Sequence, residues 1–263
     1  DGRELATDFH DPKTGARSGS ISAYRVDKAS GDLSPLPPVA VTNSTNLALD
    51  PSGKWMMGAS WAHGVASLLP VAADGTVGPV ADVFKAEGPR NPDQAADQPP
   101  GNQMTSNHAQ TREHGIAFHP GGKYVVTDDA GVDTINVFTY GGGKLTKVKT
   151  YPQVPGSSPR HSVWDAKGRN LYTVFEQDMM VSVNAFDPAT GALTERQRLS
   201  TLPPGFAGSA AAAEILLSKD GKNLYASNRF HDSIAHFAVK PDGTLTYVSD
   251  TPTGTNVPRG LVL

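Results

Sequence analysis

The 263-residue chain contains no cysteine, which removes disulfides, thiol nucleophiles and thiolate metal sites at once. A cysteine-free protein suits either redox setting, so cytoplasmic and periplasmic or secreted compartments stay equally open. No window approaches 18 consecutive apolar residues, so no segment reads as a transmembrane helix. Charge of one sign is also missing. With 23 Lys and Arg against 26 Asp and Glu, the formal net charge is −3, too little to draw the chain to nucleic acid or an anionic membrane. Aromatic residues make up only 7%. No Gly-rich phosphate loop, basic–aromatic surface or metal-ligand spacing stands out. The sequence therefore calls for no cofactor, no metal, no nucleic acid and no membrane. The first residue is Asp1 rather than Met, which fits either removal of a leader or loss of the ends of a longer protein.

What is plentiful is Gly (27) and Pro (21), spaced between short apolar runs. That pattern predicts many short strands joined by tight turns. A repeat organises them. DGRELAT at 1, PSGKWMM at 51, PGGKYVV at 120, AKGRNLY at 166 and KDGKNLY at 219 share a glycine, at Gly2, Gly53, Gly122, Gly168 and Gly221. Glycine there supplies a positive φ at a hairpin turn. An apolar run precedes each later turn (NLALD, GIAFH, HSVWD, EILLS) and another follows it. A third run alternates with period 2 (SISAYRV, TINVFTY, VSVNAFD, SIAHFAV), and a further turn leads to a fourth. Four antiparallel strands per unit of roughly 45–50 residues is the blade of an all-β propeller. Helical periodicity is absent. The Ala-rich GSAAAAEI (208–215) is the nearest candidate for it, and it sits where a first strand is due.

About five blades' worth of sequence is present. The N-terminus lacks its first strand, and PRGLVL (258–263) reads as a first strand with nothing after it. A closed five-bladed ring fits this count; a piece of a larger ring is the preferred reading. Residues 1–263 are thus expected to form one propeller domain, incomplete at both ends. Residues 85–113, rich in Pro, Asn and Gln, are expected to form a long inter-blade loop on one face.

Aligning blades on the turn glycine produces two columns. Eight residues before it stand Thr45, His114, Arg160 and Ala213, with Arg259 in the last partial unit. Eight after it stand His10, Trp61, Ala130, Glu176 and Arg229. In a propeller the start of the first strand and the end of the second emerge together near the axis. His114, Arg160, Glu176, Arg229 and Arg259 should therefore converge at one mouth of the channel. Three arginines beside one carboxylate and one imidazole would make a mostly cationic pocket suited to a small anionic substrate. The arginines would also keep Glu176 ionised and able to act as a base. His161 lies one residue off this register, which predicts a structural place. Beside the cluster, Arg259, Trp61, His161 and His231 are the candidate substrate-binding residues.

The stretches NLYTVFEQDMMVSVNAFDPATGAL and AAEILLSKDGKNLYASNRFHDSIAHFAVKPDGTL, with SPRHSV and VPRGLVL in order around them, resemble the lactonase β-propeller family. That resemblance implies a seven-bladed ring and an enzyme. The class includes 6-phosphogluconolactonases and a carboxymuconate-lactonising enzyme. Carried over by motif, the implied catalytic His falls on His114, the two Arg on Arg160 and Arg229, and the Glu on Glu176. The chain departs from the pattern in two places. Many relatives have His-x-His where Arg112-Glu113-His114 stands, and an Asn where Phe175 precedes the Glu.

The resulting expectation is a 6-phosphogluconolactonase-like hydrolase with a small anionic lactone or carboxylate as its substrate, a monomer or weak homo-oligomer. Glu176 would be general base, Arg160 and Arg229 would stabilise the oxyanion or anchor an anionic group, and His114 would shuttle the proton. A lactonising cycloisomerase would use the same groups, and a non-catalytic binding propeller is the alternative of another class. Ser162 lacks a G-x-S-x-G elbow and does not read as a nucleophile. The His231-Asp232 pair reads as a turn-end feature rather than a metal site, and His10 and His63 have no partner at ligand spacing. Trp55, Trp61 and Trp164 read as packing between blades, though Trp61 shares the register of Glu176.

Overall fold

The computed structural model describes residues 9–10 and 17–263; Gly2 and the first copy of the repeat lie outside them. The turn that anchors the repeat closes as its composition dictates. Gly53, Gly122, Gly168 and Gly221 donate their N–H groups to the carbonyls of Asp50, His119, Asp165 and Ser218 at 2.8–2.9 Å. All four have φ between +64° and +71°, a region that costs an L side chain roughly 1–2 kcal/mol. Asp50 and Asp165 also accept from backbone N–H groups at the strand entry, those of Lys54 and Trp55 and of Lys167 and Arg169. A polar residue first and glycine last is the preference of a type I turn.

Four sheets of four antiparallel strands follow one another along the chain. The first holds β6 (Asn46–Leu49), β7 (Trp55–Ser60), β8 (Val65–Pro70) and β9 (Asp82–Lys85). Next come β10 (Glu113–Phe118), β11 (Tyr124–Asp129), β12 (Thr134–Gly141) and β13 (Lys144–Pro152). The third holds β14 (Pro159–Trp164), β15 (Asn170–Phe175), β16 (Met180–Asp187) and β17 (Ala192–Ser200). The last holds β18 (Ala211–Leu217), β19 (Asn223–Arg229), β20 (Ser233–Val239) and β21 (Leu245–Pro252). Ahead of them, β1 (Phe9–His10), β2 (Arg17–Ile21) and β5 (Val39–Val41) pair, as do β3 (Tyr24–Val26) and β4 (Leu33–Pro35). Together these are the outer part of a further unit, with no first strand among the described residues. The propeller architecture is thus present as expected, and the Ala-rich segment is strand β18. One expectation fails. PRGLVL (258–263) carries no strand, because no described residue offers it a ladder of backbone partners.

Strands buried on both faces lock neighbouring blades together. On β15, Leu171 and Phe175 face the preceding sheet and meet Ala117, Tyr124 and Val126. Tyr172 and Val174, one residue out of phase, face the next sheet and meet Ile215, Leu224 and Ala226. Those four β15 side chains are fully buried, each contributing about 1.5–3 kcal/mol. Trp164 bridges two blades as expected, its indole N–H donating to the Ala117 carbonyl at 3.1 Å. Trp55 packs at the rim of the cluster that joins Met57 to Phe118 and Phe138. The inner strands β6, β10, β14 and β18 contact one another in that order, forming the wall of the channel.

Residues 86–112 contain no strand and cross the face where first strands begin. Gly208 N–H donates to the Pro100 carbonyl at 2.8 Å, Gln103 N–H donates to Ser209 Oγ at 3.1 Å, and the Gln177 amide donates to the Met104 carbonyl. This inter-blade segment is anchored at buried points such as His108 and Asn102, while over half of its residues face solvent. Asp133 clamps it, accepting from Asn91, Gly156 N–H and Ser158 N–H at 2.7–2.8 Å and facing His108 Nε2 at 3.3 Å. No helix of the described residues is long and apolar enough to cross a membrane.

Candidate active site

The inner strands break their own alternation where the candidate residues stand. Along β10–β11 the register passes from Glu113↔Asp129 to Gly115↔Asp128, leaving His114 as an extra residue. Along β14–β15 it passes from Pro159↔Phe175 to His161↔Val174, leaving Arg160 extra. Along β18–β19 it passes from Ala212↔Asn228 to Ile215↔Ala226, and Ala213 and Glu214 share the break. A β-bulge bends its strand and re-aims side chains. Here three successive bulges fall on the column that stands eight residues before the turn glycine. The consequence is that two adjacent residues per strand, not one, can serve the mouth of the channel.

Arg160, Glu176 and Arg229 meet there. Glu176 Oε2 accepts from Arg160 Nε at 2.9 Å and lies 3.1 Å from Arg229 Nη2. Each guanidinium is also fastened to the inner strand β18, which follows that of Arg160 and belongs to the blade of Arg229. Arg160 donates to the Ala213 carbonyl at 2.6 Å, and Arg229 donates to the carbonyls of Ala211 and Ala212 at 3.3 and 2.9 Å. The two arginine side chains are only 3% and 8% exposed, against 21% for Glu176. Burial would raise the Glu176 carboxyl, but Arg229 and Arg160 outweigh it and hold the group below its ordinary range. Burial lowers Arg160 to about 10 despite Glu176, so it stays protonated at neutral pH.

A second pair stands beside this one. His161 Nδ1 lies 2.8 Å from Glu214 Oε1, with the side chains 12% and 22% exposed. Its ring sits edge-on to that of His114, centroids 4.9 Å apart. His161 Nε2 and His114 Nδ1 are both buried without a hydrogen-bond partner. Burial holds both imidazoles below their ordinary range. Arg160 and His161 add to this at His114, whereas the Glu214 hydrogen bond partly offsets it at His161. Burial would raise Glu214, but its bond to His161 leads the effects that hold it low. The second carboxylate makes the mouth less cationic than the sequence reading holds.

The remaining candidates are placed apart. Arg259 is exposed on the segment after β21, close enough for its charge to act on His114 and Arg160. Trp61 lies under the Arg112 guanidinium, 4.2 Å from the ring centroid. Arg112 also donates to the carbonyls of Trp61 and Ala62, so the residue that replaces the first His of His-x-His is engaged away from the arginine pair. His231 contacts Ser233 Oγ at 2.7 Å and the Phe206 ring at 4.8 Å. The Ser162 hydroxyl is held between Asp128 Oδ1 at 2.9 Å and Thr173 Oγ1 at 2.7 Å. His108, Asp133 and Ser158 have a triad's composition but not its order, since Asp133 and Ser158 both address His108 Nε2. All three are buried, which makes them a structural clamp.

Two groups were missed from sequence. Glu214 stands seven residues before its turn glycine, the register of His161, and a second column drawn there would have paired them. Ser106 of the inserted segment reaches Glu176 Oε1 at 3.5 Å, and no periodicity could have placed it. Among the described residues no group of three His, Asp or Glu side chains is arranged to hold a metal ion.

Residues 10–263 match the family described as Lactonase, 7-bladed beta-propeller. A 6-phosphogluconolactonase of Bacillus subtilis is 28% identical over 248 residues, spanning 93% of this chain and 67% of that protein. A Lactococcus lactis protein is 34% identical over 217 residues, spanning 81% of this chain and 59% of its own length. The structure of a periplasmic gluconolactonase from Pseudomonas aeruginosa superposes with a TM-score of 0.80 at 28% identity, covering 94% of this chain and 68% of that one. The chain thus spans about two thirds or less of the relatives it matches.

Proposed function

Because the chain belongs to the seven-bladed β-propeller lactonase family, we propose that it hydrolyses a small sugar-type lactone at the mouth formed by Arg160, Glu176 and Arg229. The observation that carries this reading is the buried ion-pair set itself, Arg160 and Arg229 both held on Glu176 Oε2. Guanidiniums fixed out of water need no reorganisation when negative charge develops on the lactone carbonyl oxygen, which is where preorganised donors act most strongly. Glu176 fixes their orientation. Its low basicity suits it to that task better than to removing a proton from water, since a base works best with a pKa near the working pH. The arginine heads are covered and already hold Glu176 and carbonyls of β18. That leaves N–H groups for one oxyanion rather than a bulky anionic substituent, so capture of that substituent falls to exposed Arg259. The partly exposed carboxylates of Glu176 and Glu214 suit sugar hydroxyls.

Three lactones test the reading: gluconolactone, its 6-phosphate and a muconolactone, each followed by acid release in a weakly buffered indicator assay. Hydrolysis of a sugar lactone is expected. Arg229→Met should lower kcat/KM about 100-fold, the effect of losing one oxyanion donor. Of the two sugar lactones, Arg259→Ala should affect only the phosphorylated one. No turnover on any of the three refutes the proposal and favours a binding propeller.

A further inference from the structure

Glu176 is engaged by two arginines, which leaves the hydrolysis without a base of suitable strength. The His161–Glu214 pair has the geometry that role requires. Glu214 Oε1 lies 2.8 Å from His161 Nδ1, so an ionised Glu214 holds the proton on Nδ1 and leaves the buried Nε2 lone pair unshared. His161 Nε2 has no protein partner, and neither does His114 Nδ1 on the adjoining ring. A buried polar atom left unpaired forfeits its hydration with nothing in return. Two on neighbouring rings, beside the arginine pair, mark a place built for something other than packing.

We propose that His161 is the general base of the hydrolysis, with Glu214 as the positioning residue that fixes its tautomer; this rests on the lactonase reading above. The step balances without a co-reactant. His161 Nε2 takes one proton from water as the water oxygen bonds to the lactone carbonyl carbon, and the carbonyl oxygen becomes an oxyanion facing the guanidiniums. The ring C–O bond then breaks, and the proton on Nε2 passes to the departing ring oxygen, which leaves as a hydroxyl. The new carboxyl releases its remaining proton to solvent. The charged and titratable groups around His161 are Arg160 on its own strand, Glu176 after β15, Glu214 on β18, His114 on β10 and Asp128 on β11. Burial first, then Arg160, keep the imidazole neutral at pH 7 against the pull of Glu214 and Glu176. Neutral is the form a base requires.

The tests are kinetic and spectroscopic. His161→Gln should lower kcat/KM by about 100-fold or more, within the range general-base catalysis contributes. Glu214→Gln removes the group that favours imidazolium, so the acid limb of the kcat/KM profile should move to lower pH while the plateau falls. A residue that only supports the fold would lower the plateau without moving the limb. An acid limb that survives in His161→Gln and vanishes in Glu176→Gln overturns the proposal while leaving the lactonase reading intact. If the wild type hydrolyses no lactone, the earlier reading fails instead, and imidazole ¹⁵N NMR still decides the tautomer. Nδ1–H with unprotonated Nε2 at pH 7, altered in Glu214→Gln, is expected. The Nε2–H tautomer or an imidazolium at that pH overturns the assignment.

Discussion

Asp128 offers the sharpest thermodynamic test of how these inner walls are built. It sits fully buried on β11, with Oδ1 accepting from Ser162 and Oδ2 without a partner. Burial raises its carboxyl from 3.8 to about 7. In the unfolded chain the group releases its proton near pH 4, while the native protein keeps it to about pH 7. The native state therefore binds more protons across that window, and stability falls as pH rises through it. Three pH units at about 1.4 kcal/mol each amount to about 4 kcal/mol, a large share of the stability a domain usually has. Asp128→Asn has nearly the same shape and does not titrate. Relative to wild type it should gain nothing below pH 4, about 1–2 kcal/mol by pH 5 and about 4 kcal/mol above pH 7. Urea midpoints followed by tryptophan fluorescence at pH 4, 5, 6, 7 and 8 measure the difference. Asp129, also raised by burial, tilts both proteins alike and cancels. Glu113 is raised by burial and by the charges of Asp129 and Asp128, so removing the Asp128 charge relaxes it and adds to the difference in the same direction. A wild-type-to-variant difference that stays flat from pH 4 to 8 would refute the reasoning.

Other expectations follow from single contacts. Gly122→Ala places a Cβ in open space, whereas at Gly168 the same Cβ would run into the His119 ring. Both carry the left-handed backbone cost, so Gly168→Ala should be the more destabilising by about 1–3 kcal/mol; equal thermal midpoints would contradict this. Asp133→Asn weakens the clamp on residues 86–112 and should cost about 2 kcal/mol or more, with new proteolytic cleavage inside that segment. Resistance equal to wild type would show that the segment is held elsewhere. Ser162→Ala should leave kcat within about threefold, because the hydroxyl is engaged by Asp128 and Thr173. A loss near a thousandfold would make Ser162 a nucleophile.

The blade repeat was legible because the turn glycine is a steric requirement, and each copy must meet it at the same place. The convergence of Arg160, Glu176 and Arg229 was legible for the same reason, since equal spacing from equal turns places equal positions at one mouth. Period-2 alternation turns adjacent residues to opposite sides, which gives His161 a structural or at most a substrate-binding place and no catalytic one. That rule fails at a bulge, and the bulge at Arg160 puts both residues beside the mouth. Glu214 escaped for the same reason. Ser106 and the clamp at Asp133 were illegible because residues 86–112 fold by tertiary hydrogen bonds, which leave no period in the sequence. The end segment 258–263 has a strand's composition, but composition does not make a strand without a partner.

The three consecutive bulges also bear on how such a site can change. At each one the chain presents a doublet to the channel: His114-Gly115, Arg160-His161 and Ala213-Glu214. The outer strands and turn glycines that hold each doublet in place take no part in what it displays. Gly115 is the exception, because a Cβ there would run into the Arg160 carbonyl and the His161 backbone of the next blade; the other positions can be substituted one blade at a time. The inner wall behaves as a row of two-letter slots with one letter fixed, and a library varying His114, Arg160, His161, Ala213 and Glu214 while keeping Gly115 would explore new chemistries on the same frame.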